Sequence, residues 1–279
     1  MRKRTGSVIC PSCGSLVGIN DDRCLTCGRR NPGMWGFTPA LRRLGNDLGF
    51  TAIVTVSCTL LYLVSLLLDL GGIGRGGLLT VLSPSTKAVF LLGASGAIPV
   101  YDMGRWWTLF SAGWLHGGPL HLVFNLLWIR QLAPETAEAY GPARTVIIYT
   151  AATVTGFLLS STVGHYLPFL PPFMRGARFT IGASAPIFGL LGALVWYGRR
   201  RGSSMVGRPA LSYAVILGLY GFLMPGIDNW AHLGGFLGGL GAARVLDPWK
   251  EERTDHVLAA LLCLLASLAA VAASLVLGL

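Results

Sequence analysis

The chain has 279 residues, 53% of them hydrophobic and only 12% charged, with a formal net charge of +10. Apolar runs near the length of a membrane span exclude a soluble globular protein and describe a polytopic membrane protein with a small soluble piece in front. The basic excess does not point to nucleic acid. Lys and Arg cluster at the ends of the apolar runs, where an inside-facing bias places them.

The first 50 residues lack an apolar core of the length a cleavable signal needs. They carry two Cys-x-x-Cys pairs instead, Cys10/Cys13 and Cys24/Cys27, each followed by a glycine (Gly14, Gly28) that lets the backbone turn tightly beneath a metal. Four thiolates at this spacing suit tetrahedral Zn²⁺ in a closed, structural shell. The competing reading, two disulfides, is disfavoured in a reducing cytoplasm. So short a segment has no core of its own, so the metal supplies its folding energy. Residues 1–35 are therefore read as a zinc ribbon, similar to those attached to many bacterial membrane proteins. Residues 36–49, together with Trp35, are read as a linker with an interfacial anchor (Trp35, Phe37, Pro39, Arg42, Arg43), because aromatic and basic residues favour the headgroup region. Cys58 and Cys263 lie in apolar runs and read as packing residues.

The membrane domain, 50–279, reads as seven spans: about 50–70, 119–133, 143–164, 185–198, 209–224, 229–246 and 256–278. Of the 22 Lys and Arg residues, 17 fall in the amino-terminal segment and the loops around 130–144, 199–208 and 244–253. That asymmetry puts the amino terminus in the cytoplasm and the carboxy terminus on the opposite side.

The long 71–118 connection has apolar and aromatic content of its own and is expected to lie partly in the outer interface. It ends at His116-Gly117-Gly118-Pro119, a turn with proline opening the next helix. His121 follows, then Asn125 one turn later on the same helical face. Further on stands Gly182-Ala183-Ser184-Ala185-Pro186-Ile187-Phe188-Gly189, directly before an apolar run ending at Arg199-Arg200-Arg201. From Pro186 to Gly198 a helix rises roughly 20 Å, short of about 30 Å of hydrocarbon, so it begins partway down the membrane. Ser184 then sits at or beside the helix N-cap, near free N–H groups. Taken alone, the octapeptide admits both a serine cap and a nucleophile.

The sixth span opens with Asp228-Asn229-Trp230-Ala231-His232. His232, Gly235, Gly239 and Ala242 form one helical stripe, and Ala185, Gly189 and Ala193 form another after Ser184. Small stripes let membrane helices approach closely, and a serine–histidine hydrogen bond requires that approach. An ionisable residue inside a span is a functional candidate by default. Asp228 reads as the N-cap of the span in preference to a third catalytic member.

Ser184, His232 and the His121/Asn125 pair together resemble the rhomboid family of intramembrane serine proteases. The resemblance covers most of residues 90–246, including Trp106-Trp107, the His116 to Asn125 segment, Gly-Ala-Ser184 and Asn229-Trp-Ala-His232-Leu-Gly-Gly. It implies a six-helix core with one added carboxy-terminal helix, all α. It also implies Ser184 as nucleophile, His232 as general base and then acid, and an oxyanion site made by His121, Asn125 and the Ser184 N–H, with no cofactor for catalysis. The substrates would be membrane-spanning proteins cut near the outer face of a bacterial-type inner or plasma membrane. Two departures stand out. Ala185 replaces the glycine that usually follows the serine. Thr108 replaces the arginine of a Trp-Arg pair, which removes a loop-ordering contact and leaves Arg105 as the nearest base.

Gly93-Ala94-Ser95-Gly96 matches the family string better than the Ser184 segment does. The following proline, aspartate and glycine break any span behind it, and Ser95 is read as a loop residue. His116, His165 and His256 receive no catalytic role. The alternative function is an inactive rhomboid-like protein that binds membrane clients without cutting them. Relatives of that kind typically lack the serine or the histidine, and both are present here. A transporter would call for paired charges inside the spans, which this sequence lacks.

Overall fold

A helix that is apolar on every face has to be surrounded by protein or lipid. Here every residue from Ala185 to Val195 is buried within protein, which makes Ser184–Arg201 the axis of the molecule. The computed structural model describes residues 5–10, 13–36, 44–74, 77, 80–171, 174–202, 204–224, 226–250 and 252–278. The anchor read at Phe37, Pro39, Arg42, Arg43 and the Trp35 side chain lies outside them.

The long helices in chain order are α1 Phe50–Leu68, α2 Pro119–Tyr140, α3 Pro142–Tyr166, α4 Ser184–Arg201, α5 Ser204–Leu223, α6 Asn229–Val245 and α7 Thr254–Gly278. By length and composition α1, α3, α5 and α7 are apolar enough to cross a membrane. The other three, also read as spans from the sequence, fall short on that measure. The reasons are local: α2 carries Arg130, Glu135 and Glu138, α4 ends in three arginines, and α6 is short and rich in glycine. The charged side chains of α2 and α4 are exposed and gather toward the carboxy-terminal halves of those helices, while α3, α4 and α6 are in closest mutual contact.

Two helices extend beyond the spans read as about 119–133 and 209–224. α2 runs through Pro134 and α5 begins before Pro209. Proline costs a helix interior about 3 kcal/mol, but beyond Pro134 the helix buries Thr136, Ala137 and Tyr140, and Tyr140 Oη donates to the Ala193 carbonyl at 3.0 Å. Polar side chains on α3 are quieted locally. The hydroxyls of Thr145, Thr150, Thr153 and Thr155 each donate to the carbonyl four residues back.

The connection between α1 and α2 folds back into the bundle more deeply than an interfacial loop would. Leu92, Ser95, Leu115 and His116 are fully or almost fully buried. A short helix, Thr86–Leu91, is capped by the Ser85 hydroxyl, which accepts from the Ala88 N–H at 3.1 Å. Tyr62 on α1 ties the loop down by donating to the Leu82 carbonyl at 2.7 Å. A π-helical turn follows at Ile98–Asp102, then one helical turn at Thr108–Ser111 that tightens into Ala112–Trp114. Ser95 pairs with Thr180 in an isolated antiparallel bridge, so the loop also holds the segment leading to Ser184.

In the amino-terminal segment, strands β1 (Ser7–Ile9) and β2 (Leu16–Gly18) pair antiparallel with Val8 opposite Val17. Their core is Val8, Val17 and Ile19 packed with Cys10 and Cys24. So small a core needs a further staple.

Candidate active site and metal centre

Ser184 is the first residue of α4. The cap position belongs to Ala183, and no side chain caps the helix. The serine hydroxyl is therefore not spent as a cap. It lies 2.9 Å from Nε2 of His232, which is within the reach a general base needs.

Close backbone approach makes that distance possible. A Cβ at Gly235 would strike the Ala185 carbonyl, one at Gly239 the Gly189 carbonyl, and one at Gly192 the Phe236 carbonyl. The two small-residue stripes thus face each other, with α3 closing a third side. There, Gly156 admits the Ala185 side chain and the Ala231 carbonyl, each of which would sit under 3 Å from an added Cβ. The His232 ring is held in plane by Phe188, with centroids 4.2 Å apart and planes 13° apart. Asp228 accepts from the Ala231 N–H at 3.0 Å and from the Ser160 hydroxyl at 2.6 Å. It is the N-cap of α6. Among the described residues Nδ1 of His232 has no partner.

His121 stands across from Ser184 at the start of α2. Its Nδ1 accepts from the Gly117 N–H at 3.2 Å, which leaves the proton on Nε2. A Cβ at Gly182 would lie 2.8 Å from both Nε2 and Cε1 of His121 and 3.8 Å from Ser184 Oγ. Gly182, at φ +129°, is thus the hinge piece that brings an N–H donor beside the serine. Asn125 is buried, and its amide donates to the His121 carbonyl at 2.7 Å. Its Nδ2 carries two protons, so a second donor remains. This constellation offers a hydroxyl with a base in hydrogen-bond contact, and N–H groups nearby for a developing negative oxygen.

The other polar residues fall elsewhere. Ser95 is wholly buried, and its hydroxyl has Thr108 Oγ1 at 3.4 Å. The ordering contact expected to be lost at Thr108 is supplied from three residues upstream. Arg105 is buried and donates to the Ser274 carbonyl at 2.9 Å, and Thr108 donates to the Arg105 carbonyl at 2.7 Å. The sequence carries no signal for this, because the partner lies 169 residues away. His116 is buried against the His121 ring. His165 pairs with Asp102 at 3.3 Å and stacks on Tyr101, while His256 accepts from Arg144 at 3.2 Å. A cavity of about 510 Å³ lined by Glu135, Glu138, Tyr197 and Arg201 opens at the far end of α4 from Ser184, so it is separate from this chemistry.

In the ribbon, the sulfurs of Cys10, Cys13, Cys24 and Cys27 all lie within 4.8 Å of one another, and all four are free thiols. Cys10 and Cys27 are 3.8 Å apart, Cys13 and Cys24 3.6 Å. Tetrahedral zinc with bonds of about 2.3 Å would separate its sulfurs by about 3.8 Å, so the residues fit the ion. The two halves repeat one turn. The Gly14 N–H donates to Cys10 O and the Gly28 N–H to Cys24 O, with the glycines at φ +76° and +75°.

A family model described as a rhomboid domain matches residues 103–248, just over half of the chain. The chain is 34% identical over 167 residues to Rhomboid protease GluP of Bacillus subtilis (strain 168), covering 59% of this chain and 30% of that protein. It is 30% identical over 184 residues to RHOMBOID-like protein 4 of Arabidopsis thaliana, covering 62% and 43%. With Rhomboid-like protease 3 of Toxoplasma gondii the identity is 27% over 195 residues, covering 67% and 65%. The matched part of the chain thus spans less than two thirds of each of these relatives.

Proposed function

The chain belongs to the rhomboid family, and on that premise we propose that it is an intramembrane serine endopeptidase acting on membrane-spanning proteins through a Ser184–His232 dyad. The observation that carries this reading is the 2.9 Å contact between Ser184 Oγ and His232 Nε2, held between close-packed helices. As Ser184 Oγ attacks the scissile carbonyl carbon, its proton passes to His232 Nε2. Negative charge then grows on the carbonyl oxygen, which takes hydrogen bonds from the Ser184 N–H, His121 Nε2–H and Asn125 Nδ2–H. The N–H of a residue in a helix's first turn has no partner within the helix, so it is free for this. His232 returns the proton to the leaving amine, and water resolves the acyl-enzyme by the same route in reverse. No metal or cofactor is called on. A dyad suffices because Phe188 and the α4–α6 packing orient the imidazole, the task a carboxylate performs in a triad.

The seven long helices are taken as seven spans, a six-helix core with α7 added, entered from a cytoplasmic amino terminus. Residues 1–35 form a zinc ribbon, 36–49 a linker and 50–279 the membrane domain. On this arrangement Ser184 opens toward the outer side, where substrate and water arrive.

The test is to reconstitute the purified protein in bilayers with generic transmembrane substrates. Cleavage by the wild type and none by Ser184→Ala is the expected result. Binding of substrates without cleavage by the wild type would replace this reading with that of a client-binding relative.

A further inference from the structure

Arg105 is a buried guanidinium, and among the described residues no carboxylate pairs with it. A buried charge left without compensation is costly, so its surroundings have to supply the counter-charge. They do so from α7, the helix beyond the family-matched residues. Arg105 Nη2 donates to the carbonyl of Ser274 at 2.9 Å, in the last turn of α7, where the helix dipole is negative. The Phe90 ring lies 4.4 Å from the guanidinium carbon, a favourable cation–π distance. Trp107 adds a second tie, its indole N–H donating to Ser274 Oγ at 3.0 Å. Ser274 is wholly buried, and a Cβ at Gly93 would sit 2.6 Å from its hydroxyl. The end of α7 is thus seated in a socket made by the first loop.

That socket connects to the nucleophile in three short steps. The Gly93 carbonyl accepts from Ser111 at 2.7 Å. Two residues on, Ser95 exchanges backbone hydrogen bonds with Thr180 at 3.1 and 2.8 Å. Gly182 then donates to the Ala112 carbonyl at 2.9 Å, and Ser184 follows two residues later. We propose that α7 is a positioning latch: its last turn neutralises Arg105 and fixes the first loop, and the loop holds residues 180–182 so that Ser184 meets His232. Arg105, Trp107 and Ser274 are positioning residues in this scheme. The latch rests on the protease reading for its consequence but not for its geometry.

The experiment uses the full chain in bilayers with two kinds of readout. One is backbone hydrogen exchange at residues 95–97 and 180–182, which needs no activity. The other is the rate of fluorophosphonate labelling at Ser184, with kcat and KM on a transmembrane substrate. Trp107→Phe and Ser274→Ala each remove the same hydrogen bond, worth about 1 kcal/mol or a fivefold change in a rate that depends on it. Each is expected to speed exchange at both segments and to lower labelling and kcat with KM unchanged, and the double variant should match the singles. Arg105→Met should have a larger effect of the same kind, and Arg105→Lys, which keeps a charged donor, should recover most of it. Unchanged exchange in both mild variants, or additive effects in the double variant, would overturn the latch. An unlabelled wild-type protein would count against the dyad alone, and the exchange arm would still decide the latch.

Discussion

At the residue scale two serines compete for one role, and their surroundings differ in kind. Ser95 sits in the string Gly-Ala-Ser-Gly, yet among the described residues its hydroxyl has only Thr108 Oγ1 as a hydrogen-bond partner, at 3.4 Å. Ser184 has an imidazole nitrogen at 2.9 Å. Ser95→Ala should therefore keep most of the fluorophosphonate labelling and cleavage, while Ser184→Ala should lose both, measured on the same preparations. The reverse pattern would remove His232 from the site as well. The donors permit a second test. His121→Ala and Asn125→Ala should each slow cleavage by about 10²–10³, the usual effect of deleting one oxyanion donor, without lowering the thermal midpoint in step. If both single variants turn over normally, these residues only pack. The sequence already separates the two serines, because the proline and glycine after Ser95 leave only the short π-helical turn Ile98–Asp102 behind it. The role of Arg105 is not legible there. Its partner is a backbone carbonyl in the last helix, and no local pattern marks which carbonyl a buried arginine will find.

The helix elements explain why the contact is so short. α4 and α6 meet through Gly189, Gly192, Gly235 and Gly239, and at each an added Cβ would collide with a facing backbone carbonyl or a close side chain. The stripes themselves are readable in the sequence, since small residues at steps of three and four mark one face. Which glycine meets which carbonyl is not, because that depends on the rotation and height of each helix, and these follow from packing on α3. α2 runs past the span read to residue 133 for a related reason, burial of Thr136, Ala137 and Tyr140 outweighing the local propensity of Pro134, whereas the turn of α5 before Pro209 is largely exposed. Gly235→Ala tests the packing argument. Its methyl would meet the Ala185 carbonyl one residue from the nucleophile, so α6 must shift by a few tenths of an ångström or more and take His232 with it. Cleavage should fall at least tenfold, because small misplacements of reacting groups cost up to about a hundredfold. Gly241→Ala is the matched control, on the same helix with nothing within 4 Å of the added methyl. It should keep full activity and gain about 0.5–1 kcal/mol from helix propensity. Equal losses in the two variants would mean that α6 is simply intolerant of change.

On the scale of the whole molecule, two features organise the chain: a metal-sized thiol cluster at one end and a charge asymmetry along its length. The ribbon core has few apolar side chains, so folding of that segment should depend on the ion. Metal analysis of the full chain should find one zinc per molecule, lost in a Cys10→Ser, Cys24→Ser variant whose dyad still labels. The charge asymmetry has the larger consequence. With 17 of the 22 Lys and Arg residues in the amino-terminal segment and alternate loops, the inside-facing bias orients every helix at once. Three of the seven long helices are not both long and apolar enough to count as ordinary spans, so helix composition alone leaves their crossing open and the loop charges have to carry the argument. Arg199, Arg200 and Arg201 end α4 and Arg208 follows closely, which on the proposed orientation puts the α4–α5 turn on the cytoplasmic side and the Ser184 end of α4 in the outer half. On the same proposed orientation the end of α7 would emerge outside, on the side of the first loop that receives it. A reporter inserted after Arg201 should therefore read as cytoplasmic, and one fused after Leu279 as outside. If both read inside, an odd number of α5, α6 and α7 fails to cross; if both read outside, the Ser184 end of α4 loses its assigned face as well. The path by which water and substrate reach the dyad would then have to be redrawn from the inner side.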